Sequence, residues 1–142
     1  MKSGFKSLIW LLLIVFSGLL QVWVLFGYEQ INTAFQVNVQ GLILDGVFLF
    51  FSTAIVTSMT ADYYFDKDLE LPKWQSGVLF SLFPLVIVGL TLLLYWFTYT
   101  TDRNNIDLNF VLTANQVIIS MSLLYCFISK VLMFGYEPKE SK

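Results

Sequence analysis

Three observations predict an all-α integral membrane protein, a four-transmembrane-helix bundle with both termini cytoplasmic. Four apolar runs of about twenty residues or more follow one another, each long enough to cross a roughly 30 Å hydrocarbon core at a rise of about 1.5 Å per residue. Hydrophobic residues make up 57% of the chain and charged ones 13%, a balance outside the soluble globular range. The connections, 28–40, 62–76 and 99–107, are short and free of repeats or low-complexity tracts, so residues 1–142 read as a single membrane domain.

The first span is predicted over about 8–27. Lys2 and Lys6 precede it as they would precede a signal peptide, but the apolar run is too long for a typical signal core and Phe16 makes a poor cleavage position, so a retained helix is expected. The second span, about 41–61, carries a carboxylate, Asp45. Centrally placed in lipid, an aspartate costs roughly 2.5 to 3.5 kcal/mol, so Asp45 is expected to face protein or water and to have a partner. The third, about 77–98, contains Pro84, which removes one backbone donor and is read as a packing bend or a hinge. The fourth, about 108–134, is the richest in polar residues.

Orientation follows from the basic residues. With both termini inside, Lys2, Lys6, Lys67, Lys73, Lys130, Lys139 and Lys142 fall on the cytoplasmic side and only Arg103 falls outside. Trp10, Tyr63, Tyr64, Trp74 and Tyr136 then form an inner aromatic belt, and Trp23, Tyr28, Tyr95, Trp96 and Tyr99 an outer one. Localisation in the plasma membrane, the inner membrane of a bacterial cell, follows.

In that orientation Gln21, Asp45, Asn115 and Gln116 lie at similar depths, roughly 6 to 12 Å from the outer boundary. The sequence therefore predicts one intramembrane polar layer. On the fourth span Asn109, Thr113, Gln116 and Ser120 recur at helical spacing and share a face; Asn115, Ser122, Cys126 and Ser129 lie on a second. Three readings fit: hydrogen bonds that fix helix register, a water-filled vestibule or ion path with Asp45 as its charge, or Asp45 reaching the outer surface.

The loop 61–74 is the densest soluble stretch. Asp66, Asp68 and Glu70 alternate as in a calcium loop, but neither the glycine nor the distal glutamate follows. With Trp74 they are read as a solvated connector or as a docking surface for a cytosolic protein, aided by the tail 135–142. Histidine is absent and Cys126 is the sole cysteine, which argues against common metal sites and disulfides; no catalytic motif is present, and neither cofactor nor metal is expected. A net charge of −2 gives no broad basic face for nucleic acid.

The layout of four spans, internal termini and short loops resembles the membrane subunit of the Kiwa anti-phage system. That resemblance rests on layout alone and implies an oligomeric membrane scaffold that recruits a soluble effector in antiviral defence. The small multidrug transporters share the size, but their early-helix glutamate has no counterpart in the first span here. The expected function is thus a non-enzymatic homo-oligomeric scaffold or sensor, bound to membrane lipid and a cytosolic protein; the alternative is an ion or proton channel or carrier centred on Asp45.

Overall fold

The computed structural model describes residues 2–32, 36–66 and 71–135. Six helices account for nearly all of them: α1 (Lys2–Gly18), α2 (Leu20–Ile31), α3 (Val39–Leu44), α4 (Val47–Phe65), α5 (Lys73–Thr100) and α6 (Leu108–Gly135). Two of them, α5 and α6, each 28 residues, are long and apolar enough to cross a membrane, and the bent pair α1–α2 makes a third candidate span. Such a set suggests a multi-pass membrane protein.

The first predicted span is bent rather than straight. Leu19 leaves helical geometry (φ −99°, ψ 17°), and the axes on either side diverge by 59°. No proline stands there. Gly18 does, and the Phe51 ring of α4 lies so close that a Cβ at Gly18 would meet its Cε2 at 2.5 Å. Only glycine admits that approach, and glycine is also where a helix bends at least cost.

The second predicted span, 41–61, is displaced and divided. Asn38 opens α3 by accepting a hydrogen bond from the Gly41 N–H at 2.9 Å, and α3 ends after two turns at Asp45 and Gly46. Gly46 has φ +76°, the left-handed conformation of a helix C-terminus, and donates to the Ile43 carbonyl at 3.1 Å. From Val47 the chain restarts as α4. An Asp-Gly pair is turn chemistry even inside an apolar run.

Helix α5 accommodates Pro84 through a widened turn over Val78–Leu82, where Phe83 N–H reaches back five residues to the Val78 carbonyl. Pro84 is buried within an otherwise continuous helix. The wide turn gives the proline ring room where an ordinary turn would clash.

Two ion pairs mark the ends of the bundle. At one, Asp45 meets Arg103 of the α5–α6 connection; at the other, Asp62 of α4 meets Lys130 of α6. Helix α4 therefore runs the full height beside α6 and in the same direction, with Thr60 Oγ1 3.1 Å from Tyr125 OH between them. Helix α5 returns antiparallel. Tyr63 OH donates to Ser76 Oγ at 2.6 Å near the Lys130 end, and Phe50 packs edge-on against Tyr95 near the Arg103 end. Leu49, Ile55, Val56, Met59, Phe80, Ile87, Ile118 and Tyr125 form the shared core, with Tyr63 stacked on Phe80. Helix α1 packs against α6, with Trp10 over Lys130; beyond the bend, α2 runs at 59° to α1.

Candidate functional site

The predicted polar layer separates into parts that do not meet as one cluster. Asp45 lies at the end of α3, exposed, and accepts from Arg103 Nη2 at 3.0 Å. Asn115 is buried in the core, but its Nδ2 donates to the Val111 carbonyl of its own helix at 2.9 Å, while Oδ1 has no partner among the described residues. Gln116, one residue further on, is exposed on the outer side of α6. Gln21 belongs to α2, past the bend, and its side chain lies outside the described set. The layer was drawn from depth alone; adjacent residues on a helix point about 100° apart, and here Asn115 turns into the core while Gln116 turns out of it.

The two faces of α6 divide sharply. The Asn115, Ser122, Cys126 and Ser129 face is buried, with Cys126 Sγ 3.7 Å from the Ile55 carbonyl and Ser122 Oγ bonded to the Ile118 carbonyl at 2.8 Å. These small residues let α4 and α6 approach closely. The face of Asn109, Thr113, Gln116 and Ser120 is exposed throughout. Thr113 is satisfied by the Asn109 carbonyl at 2.8 Å, as hydroxyls in helices commonly are.

The bend in α1 explains the exposure. Continuing the same four-three spacing down α6 from Ser120 leads through Leu123 and Phe127 to Lys130 and Phe134, and there Trp10 of α1 covers it, its ring 4.7 Å from Lys130 Nζ. Above Gly18 that cover swings away.

Among the described residues, the most enclosed charge is one that the sequence reading only counted on the cytoplasmic side. Lys130 Nζ donates to Asp62 Oδ2 at 2.9 Å and lies over the Trp10 and Phe134 rings; its side chain is 9% exposed against 43% for Asp62. The positive-inside count gave Lys130 a side of the membrane and no partner. Its position five residues before the end of the last helix was the available signal. One cation thus ties α1, α4 and α6 together.

Of the predicted docking residues, Asp68 and Glu70 lie outside the described residues, as does the tail beyond Gly135; Asp66 ends α4, and Trp74 is 70% exposed, with Tyr64 and Phe65 exposed as well. Pro84 sits where the wide turn closes. Among the described residues no three His, Cys, Asp or Glu side chains are placed to share a metal ion.

No family model, curated protein or solved structure matches this chain.

At the Arg103 end, a cavity of about 340 Å³ is lined by Leu44, Asp45, Tyr95, Thr98, Arg103 and Ile106 among others. The ion pair there is open to solvent, 73% and 58% exposed, so its Coulomb attraction is heavily screened. Replacing Arg103 with Gln is expected to shift unfolding stability by less than about 1 kcal/mol; a larger loss in detergent-solubilised protein would show that this pair holds the bundle together.

Proposed function

We propose that this chain is a non-enzymatic protein of the bacterial inner membrane, with four spans and both termini cytoplasmic. It forms a homo-oligomer and presents its Lys130 end to a cytosolic partner. Four spans are supported by the run of α4 between the two ion pairs: 19 residues cover about 28 Å, the thickness of a hydrocarbon core. The orientation is supported by seven of the eight basic residues lying on one side.

The carrying observation is the exposed Asn109, Thr113, Gln116 and Ser120 face. Gln116 lies about 12 Å along α6 from its start, a depth at which lipid offers nothing to hydrogen-bond a primary amide. A second copy does. Around a two-fold axis along the membrane normal the same face meets itself, and an amide, being donor and acceptor at once, pairs with its symmetry mate. Interhelical bonds of this type contribute roughly 0.6 to 2 kcal/mol each in membranes. The exposed Trp74, Tyr64 and Phe65 at the opposite end then form the surface offered to the cytosolic partner.

Cysteine cross-linking tests this reading. In a Cys126→Ser background, Gln116→Cys oxidised in native membranes should give a disulfide-linked dimer, whereas Leu85→Cys, also exposed but on α5, should give little. Equal yields at both positions, or none at 116, would remove the case for this interface. Gln116→Leu should weaken the association of the otherwise intact protein by about tenfold, the equivalent of 1.4 kcal/mol.

A further inference from the structure

The cavity at the Arg103 end has a chemistry that neither the bundle nor the self-association face uses. Arg103 presents five N–H donors in a planar fork, and its bond to Asp45 occupies one nitrogen, Nη2, on one carboxylate oxygen, Oδ1. A guanidinium edge and a carboxylate oxygen therefore remain side by side. Tyr95 and Tyr99, stacked with ring centroids 6.1 Å apart, form the adjoining wall with Thr98 and Thr101. A guanidinium is suited to the oxygens of a phosphate. A carboxylate next to aromatic faces is suited to an ammonium group, through an ion pair and cation–π attraction.

The site has a second compartment. Thr98, Thr101 and Ile106 also line a neighbouring cavity of about 180 Å³ whose other walls include Leu94, Phe97, Phe110 and Val111, between α5 and α6. A polar chamber thus shares a wall with a second one whose lining is mostly apolar, with Asn105 and Asp107 at its edge, at the end of two membrane-length helices.

We propose that this paired cavity binds a phosphate ester carrying a primary ammonium group, the chemistry of an ethanolamine headgroup. Arg103 holds the phosphate, Asp45 and the Tyr95–Tyr99 wall hold the ammonium, and the apolar compartment takes the first carbons of an acyl chain. The inference uses the membrane placement proposed above but not self-association, so the Gln116 cross-link and the present test fail independently.

Native mass spectrometry of the purified full chain in detergent tests it. Phosphatidylethanolamine, phosphatidylglycerol and diacylglycerol of identical acyl chains are the lipid probes, and soluble phosphoethanolamine is the headgroup probe. Phosphatidylethanolamine should be retained best and diacylglycerol least. Arg103→Gln should weaken retention of both phospholipids by about tenfold. Asp45→Asn should weaken phosphatidylethanolamine alone. Both variants should keep their thermal unfolding midpoints, which separates lost binding from lost folding. Soluble phosphoethanolamine bound as tightly as the phospholipid would identify a soluble phosphate ester as the source of the same chemistry; weak binding of it would identify the lipid. Equal retention of diacylglycerol, or no change on Arg103→Gln, would overturn the site.

Discussion

Asp62→Asn is expected to destabilise the protein by about 3 kcal/mol, more than removal of its partner by Lys130→Met, because it strands a buried cation. The reasoning rests on unequal burial. Lys130 Nζ is enclosed by Trp10, Phe134 and Asp62, so without the carboxylate its positive charge keeps no counter-charge, only a neutral amide oxygen and the two ring faces, whose attraction is worth roughly 0.5 to 2 kcal/mol. Asp62 is nearly half exposed, so without the lysine it turns to water and loses about 1 kcal/mol, the scale of an exposed pair. Replacing both, as Asp62→Leu with Lys130→Met, should recover most of the loss, since an apolar pair of similar volume needs no desolvation. Unfolding monitored in detergent gives all three values. Equal losses for the two single variants would mean that water reaches Lys130 as freely as Asp62.

The second large effect is expected at Gly46. Its φ of +76° costs a residue with a side chain roughly 1 to 2 kcal/mol, and a Cβ there would lie 2.9 Å from Tyr95 Cδ2, forcing a repacking worth about 1 to 3 kcal/mol. Gly46→Ala should therefore lose about 2 to 5 kcal/mol in the same measurement. The two contributions are separable. In a Tyr95→Leu background the steric part shrinks while the backbone part stays, so the alanine should cost less there. If its cost is unchanged, the ring moves aside freely and strain alone accounts for the loss.

The parts of the fold that were legible in the sequence are those where a long apolar run has no internal punctuation. The third and fourth spans were predicted at 77–98 and 108–134, and α5 and α6 occupy Lys73–Thr100 and Leu108–Gly135. The first two spans were drawn as continuous for the same reason, although each contains a glycine that ends or bends a helix. At 45 and 46 the charge of the aspartate drew attention away from the turn it forms with its neighbour. At 18 and 19 nothing local signals the bend, since it depends on where Phe51 lies. Periodicity likewise separated α6 into two polar faces without saying which turns inward. That depends on where α4 packs, with its Ile55 carbonyl 3.7 Å from Cys126 Sγ, so that Ser122, Cys126 and Ser129 lie inside and Gln116 outside. Lys130 was hidden by a counting rule that gives a lysine a side of the membrane and no partner.

The parallel course of α4 and α6 has a consequence for biogenesis. The intervening α5 separates them in synthesis, so a chain emerging from the ribosome carries Asp62 for more than sixty residues before Lys130 appears. Until the final helix has been made, the seam of Ser52, Ile55 and Met59 has no α6 to pack against, and the carboxylate beside it has no cation. Helix formation and tertiary closure are therefore distinct events here. Translation stalled before codon 130 should leave an open intermediate, the form that proteases recognise.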